Sequence, residues 1–199
     1  MRKHSPEYYA LFLCAIHTGM RSGELAGLQW GDIDFHGKFL TVRRHVNHGR
    51  VSRTKTDKNR RIDLSDALLS ALQERRRVLR ADWLKEGSKI PEWVFCNNDG
   101  KSPDMQNVKR RHFHKCLEKA ELRRIRFHDL RHTFASLLIQ AGEPLAYIKD
   151  QLGHASIKMT VDVYGHLVPG ANRQAVNRLP TEATPPVAEP KAGDDVKAG

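Results

Sequence analysis

The stretch His128-Asp129-Leu130-Arg131-His132-Thr133-Phe134-Ala135-Ser136-Leu137-Leu138-Ile139-Gln140-Ala141-Gly142 reads as one amphipathic helix closed by a glycine. At about 100° per residue, Leu130, Phe134, Leu137, Leu138 and Ala141 fall on one stripe, which is expected to face the core. His128, Arg131, His132 and Ala135 fall on the other side. Residues three apart are neighbours on a helix surface, so His128 and Arg131 are placed to meet the same anion. A solvated face that carries a histidine and an arginine is the alternative for this segment taken alone.

Downstream, Pro144 opens a second helix with Leu145, Ile148 and Leu152 as its apolar positions, ending at Leu152-Gly153-His154. His154 therefore sits at a helix terminus, either reaching out of the fold or capping the helix dipole. Ser156 is a candidate N-cap for a short helix that carries Tyr164 near its end. The chain has 4 tyrosines. Tyr8 and Tyr9 belong to an apolar N-terminal helix and Tyr147 to a packed one; Tyr164, followed by Gly165, has no such structural account.

Upstream, residues 6 to 17 form a largely buried helix with Leu11, Phe12, Ala15 and Ile16 as core candidates. Gly19 breaks it, and Ser22 is a candidate cap for a short helix containing Glu24, Leu25 and Leu28. Arg21 thus stands at a helix junction. Residues 39 to 64 read as an antiparallel ribbon: Phe39 to Val42 as one strand, Asn47-His48-Gly49 as a turn, and Arg61 to Leu64 as a later strand. Between them, Arg53 to Arg61 is too polar for a core strand and suits a turn that meets a phosphate backbone.

The segment Thr18-Gly19-Met20-Arg21-Ser22-Gly23-Glu24-Leu25, then His128 and Arg131, then Leu152-Gly153-His154 and finally Tyr164 resembles, in order and spacing, the catalytic domain of tyrosine recombinases of the phage integrase type. The resemblance covers roughly residues 5 to 179 and implies a mainly α fold with a small antiparallel β-sheet (α+β). It further implies that Arg21, His128, Arg131 and His154 hold a scissile DNA phosphate and that Tyr164 is the nucleophile. In the family a hairpin lysine protonates the leaving 5′ oxygen. Lys55, before a threonine and seven residues ahead of Ile62, matches that position, with Lys58 as the alternative. Relatives usually carry proline after this isoleucine; this chain has Asp63. Relatives also dock a C-terminal helix onto a neighbouring protomer in a tetramer on DNA, a part assigned here to residues 165–179 through Ala175, Val176 and Leu179. The N-terminal helical domain that relatives use to close a clamp on DNA is expected to be absent from this sequence.

The remaining chain reads as scaffold and DNA surface. Residues 66 to 85 form a long helix with Leu68, Leu69, Leu72 and Leu79 for packing, while Arg75, Arg76, Arg77 and Arg80 supply charge. Val94-Phe95 is expected to be a short strand. Residues 104 to 121 form a further helix bearing Lys109, Arg110, Arg111, His112, His114, Lys115 and Lys119, which with Arg123, Arg124 and Arg126 is expected to lie along a duplex. The DNA-contact set is Arg43, Arg44, Arg53, Lys58, Lys109, Arg110 and Arg111.

Charge agrees. The net charge is +11 with a pI of about 9.8. In residues 180–199, Lys191 and Lys197 stand against Glu182, Glu189, Asp194 and Asp195, so this tail carries −2 and residues 1–179 carry +13. A field of that sign attracts nucleic acid by phosphate neutralisation and counterion release, without sequence preference. About 180 residues suffice for one core, while the tail, rich in Pro, Ala, Gly and acidic residues, is expected to be disordered. Cys14, Cys96 and Cys116 lack metal-ligand spacing, and their odd count fits a reducing cytoplasm. No stretch is apolar enough to span a membrane. Asp32-x-Asp34 reads as a turn rather than a metal site, and zinc on His128 and His132 lacks a further ligand at suitable spacing.

Phosphoryl transfer needs charge stabilisation on the non-bridging oxygens, a nucleophile and a proton for the leaving oxygen. Two forked arginines supply the first without a metal. Tyr164, with an ordinary pKa of about 10, must lose its proton, for which His128 is placed as a general base. The expected product is a 3′-phosphotyrosyl enzyme with a free 5′-hydroxyl, from which strands rejoin without ATP or another cofactor. The expected partner is double-stranded DNA bearing attachment sites. A type IB topoisomerase-like activity and a non-catalytic DNA-binding module are the other function classes.

Overall fold

The apolar run after Pro6 decides how the chain begins. In the computed structural model, which describes residues 5–53 and 59–168, a 3-10 turn at Pro6–Tyr8 leads into α1 (Tyr9–Thr18), with Ala10, Leu11, Phe12, Cys14 and Ala15 buried. Lys55, Lys58, and the expected hinge helix and tail beyond residue 168 lie outside the described residues, as does the Arg53 side chain. Gly19 ends α1 in the left-handed region at φ 60°. A Cβ there would stand 2.6 Å from the Phe134 ring and 2.9 Å from Leu152, so glycine permits the close approach of later helices as well as the turn.

α2 (Ser22–Ala26) starts one residue earlier than expected, with Arg21 as its N-cap and Ser22 as its first helical residue. The Glu24 carboxylate accepts the Arg21 amide at 2.8 Å and so satisfies an N–H that the helix leaves open.

The region expected as one ribbon is two sheets. β1 (Ile33–Asp34), β2 (Phe39–Val42) and β5 (Arg60–Asp63) form an antiparallel sheet in that spatial order, with Leu40 opposite Ile62 in the core. β3 (Arg44–Asn47) and β4 (Arg50–Arg53) form a separate hairpin turned at His48 and Gly49. Asp63 explains the missing proline at the end of β5. Its amide donates to Gln151 Oε1 at 3.0 Å, a bond proline lacks the N–H to make, and its carboxylate accepts the Tyr147 hydroxyl at 3.1 Å.

α3 (Asp66–Lys85) is capped by Ser65, whose side chain accepts the Leu68 amide, and buries Leu68, Leu69 and Leu72 while Leu79 is half-buried. Val94-Phe95 is not a strand: both residues are buried, but the pairing is an isolated bridge between Gln29 and Trp93, because the facing segment is the irregular turn after α2. The helix expected over 104–121 is present as α4 (Met105–Asn107), a π-helical turn (Val108–Phe113) and α5 (His114–Lys119).

α6 (Asp129–Gln140), α7 (Leu145–Leu152) and α8 (Ile157–Tyr164) complete the described fold. Leu130 and Phe134 are buried as expected, but Leu137 is 52% exposed, whereas Arg131 and Ala135, assigned to the polar face, are 4% and 0% exposed. α6 packs against α1 on one side and α7 on another, so its buried surface is wider than one stripe and takes in the arginine. Two apolar clusters result. Phe12, Phe113 and Phe127 centre the larger one, while Phe134, Ala135, Ile139, Ile148, Leu152 and Tyr164 form the second.

Candidate active site

The sharp turns at Gly19 and Gly153 bring together groups that are far apart in sequence. Arg131, buried in α6, donates to the Gly19 carbonyl at 2.7 Å and to the Leu152 carbonyl at 2.8 Å, tying the end of α1 to the end of α7. Burial, and then repulsion from Arg21 and Arg60, pull its pKa down to about 10, so it stays cationic at neutral pH.

Arg21 is half-exposed and is held by Glu24, whose carboxylate accepts its guanidinium at 3.1 Å. Glu24 also accepts both terminal nitrogens of Arg60, at 2.8 and 2.7 Å, in a forked pair. Burial pushes the Glu24 carboxyl upward, but Arg60 and Arg21 outweigh it and hold the pKa at about 2. Arg60 continues to the Gln151 carbonyl at 3.2 Å. Gly153, at φ +68°, lies against it: a Cβ there would be 2.6 Å from Arg60 Cδ.

His154 follows that turn, and its Nδ1 lies 2.8 Å from the Thr160 hydroxyl of α8. Burial and the charges of Arg131, Arg21 and Arg60 lower its pKa to about 4, leaving it neutral at pH 7. His128, the N-cap of α6, has its pKa lowered by burial and then by His132, Arg131, Arg21 and Arg126. Arg21 and Arg131 thus lie close enough to both histidines to lower their pKa values.

Tyr164 closes α8 and is only 3% exposed. Its hydroxyl lies 2.9 Å from Nδ1 of His132. Burial raises its pKa, and the Arg131 charge offsets that only in part. Five of the six expected catalytic residues thus converge; Lys55 is the sixth and lies outside the described residues.

Beside them opens a cleft of about 1710 Å³, lined among others by Arg21, Arg60, Lys109, Lys149 and His154 and flanked by the β3–β4 hairpin. Of the expected DNA contacts, Arg110 and Arg111 are exposed, and Lys109 donates to the Ser22 hydroxyl at 3.1 Å, next to Arg21. Arg44 is a correction. Its guanidinium is committed to buried Asp32 at 2.6 Å and to the Gly27 carbonyl at 3.3 Å, because that carboxylate needs a partner. Arg43, 53% exposed at its side chain, lies 3.4 Å from Asp32 on the outside. Asp34 caps its own turn through the His36 and Gly37 amides, in keeping with a structural Asp-x-Asp pair. Among the described residues no group of three or more His, Cys, Asp or Glu is arranged to hold a metal ion.

Sequence reasoning missed three members of this constellation. Glu24 was legible in principle as the acidic residue three after a helix N-cap. His132 was read only as a potential metal ligand. Arg60 carried no signal, since its partners lie 36 and 91 residues away.

A helical fold with a small antiparallel sheet that gathers arginines, histidines and a tyrosine at a helix end beside one cleft is the architecture of a known class. The model of the Phage integrase family matches residues 2–170, and the chain belongs to this family. A "Tyrosine recombinase XerC-like" protein of Caldanaerobacter subterraneus subsp. tengcongensis is 33% identical over 189 residues, covering 85% of this chain and 48% of that protein. Among solved structures, XerH site-specific recombinase bound to palindromic difH substrate in a post-cleavage complex aligns with a TM-score of 0.60 and 28% identity, over 80% of this chain and 42% of that one. The catalytic domain of bacteriophage HP1 integrase aligns with a TM-score of 0.59 and 25% identity, over 88% of this chain and 84% of that one. The chain spans about half the length of the curated relatives it matches. No described helix is long and apolar enough to cross a membrane.

Proposed function

We propose that this chain cleaves and rejoins DNA strands as the catalytic part of a site-specific recombinase, through a 3′-phosphotyrosyl intermediate and without metal or ATP. The observation that carries the reading is the charge balance around Arg131. The Arg21 and Arg60 guanidinium groups both act on that of Arg131, and among the described residues Glu24 is the carboxylate that acts on it. A phosphate supplies the missing negative charge, and two forked arginines give the transition state the stabilisation that a metal supplies elsewhere.

In this mechanism Arg21, entering from the half-exposed side, and Arg131, fixed by two carbonyls, hold the non-bridging oxygens. His154 and His128, whose pKa values are lowered by burial and then by their cationic neighbours, hydrogen-bond the same phosphate. Tyr164 attacks phosphorus, the 5′ oxygen leaves with a proton from Lys55, and the phosphodiester energy is kept in the tyrosyl bond. A 5′-hydroxyl from a partner duplex reverses the step. The substrate is double-stranded DNA carrying attachment sites, the working form is a tetramer on DNA joined through residues 165–179, and the compartment is the cytoplasm. The exposed Arg43, Arg110 and Arg111 neutralise the backbone and give a steep salt dependence.

The test uses nicked duplexes drawn from the DNA flanking the coding sequence, incubated with the protein in excess chelator. The expected result is an SDS-stable protein–DNA adduct that Tyr164→Phe abolishes. Retained DNA binding without any adduct would reduce the chain to a binding module.

A further inference from the structure

His132 is the group the sequence reading left without a role, and it is the one that touches the nucleophilic oxygen. Its Nδ1 lies 2.9 Å from the Tyr164 hydroxyl, within direct proton-transfer reach. His128 meets the rest of the site differently. Its ring stands edge-on to His132, with centroids 5.2 Å apart and planes at 87°, and the His132 ring in turn meets that of Tyr164 at 5.7 Å. His132 therefore stands between the histidine at the helix N-cap and the tyrosine.

We propose that His132 is a further catalytic residue, the base that takes the Tyr164 proton, leaving His128 to bind the phosphate; this rests on the strand-cleavage reading above. Three observations converge on it. Tyr164 is only 3% exposed, so bulk water has little access to remove its proton. Burial raises the tyrosine's pKa, so the attack needs a base at contact distance. Finally, α6 fixes the geometry: Arg131 and His132 are consecutive on one helix turn, so the anchor that locks Arg131 onto the Gly19 and Leu152 carbonyls also sets the imidazole against α8.

The Tyr164 O–H bond breaks and its proton passes to Nδ1 of a neutral His132 carrying its own proton on Nε2. The phenolate oxygen bonds to phosphorus as the bond from phosphorus to the 5′ oxygen breaks, and that oxygen is protonated by Lys55. On religation the imidazolium returns its proton to the tyrosine oxygen.

The experiment measures single-turnover adduct formation with the same nicked duplexes for wild type, His132→Ala, His132→Asn, His128→Ala and Tyr164→Phe, with melting curves as a folding control. Asparagine places an amide near the position of Nδ1 and preserves a hydrogen bond to the tyrosine, but it cannot accept a proton. Both His132 variants are expected to lose roughly 10²–10⁴-fold in rate, and added imidazole is expected to restore part of the loss in His132→Ala. A duplex with sulfur in place of the 5′ bridging oxygen, whose leaving group needs no proton, is expected to rescue Lys55→Ala and not His132→Asn. His132→Asn cleaving at the wild-type rate would reduce the residue to a tether and overturn the proposal. So would a wild-type rate in a folded His132→Ala whose His128→Ala counterpart is inactive. Absence of adduct from wild type itself would sink the cleavage reading and this inference together, which distinguishes that failure from a failure of His132 alone.

Discussion

Arg21 and Arg131 are electrostatic neighbours held under opposite conditions. Arg21 is half-exposed and shares a buried carboxylate with Arg60, whereas Arg131 is buried and has two backbone carbonyls as its only hydrogen-bond acceptors among the described residues. A carbonyl orients a guanidinium but neutralises none of its charge. The first arginine is thus stabilised by the protein, while the second is fully compensated only when an anion arrives. The structural cost is concentrated at the Glu24 pair, and on the proposed mechanism the catalytic effect falls at Arg131.

The largest expected effect on stability comes from Glu24→Gln, which leaves Arg60 buried without its counter-charge. Removing one partner of a buried pair costs about 3–5 kcal/mol, read as a lower urea midpoint. The pH dependence has a definite sign. The Glu24 pKa falls from 4.5 to about 2 on folding, so its contribution is fully present above 4.5 and is lost as pH falls towards 2. Wild type should therefore weaken across that window, and Glu24→Gln should lose less stability across it. An unchanged acid limb in the variant would show that the pair does not carry this contribution.

Arg131→Lys tests the other arginine. Lysine keeps a charge but cannot fork between two carbonyls and a phosphate, so adduct formation should drop by roughly 10²–10³-fold. Preserved cleavage in this variant would mean that charge alone suffices and that the planar fork has no part in the step. Gly153→Ala comes next. The left-handed backbone and the contact with Arg60 should together cost about 1–3 kcal/mol in thermal unfolding, with a further loss of cleavage because His154 rides on that turn. The smallest effect separates two neighbours. Arg43→Ala should lower DNA affinity and reduce the salt slope by about one with little shift in the melting temperature, while Arg44→Ala should destabilise the fold more, by removing the closer and less exposed of the two arginines that pair with Asp32. Equal behaviour of the two would erase the distinction between surface and buried arginine.

The same distinction marks what the sequence could reveal. His128 and Arg131 were readable because helical spacing puts them on adjacent turns, and His154 and Tyr164 because glycines punctuate the chain beside them. The depth at which Arg131 sits was not readable. A single-stripe pattern takes one packing partner per helix, and α6 has more than one. Arg60 escaped for a related reason: its role depends on a carboxylate and a carbonyl from distant segments, and local pattern carries no trace of such a meeting. Val94-Phe95 had the composition of a strand without a facing ladder to join.

The measurement closest to the central claim is mass spectrometry of the trapped adduct after nuclease and protease digestion. The expected product is a nucleotide joined through its 3′-phosphate to Tyr164, and to that tyrosine alone. A nucleotide attached at another side chain, or through a 5′-phosphate, would contradict it.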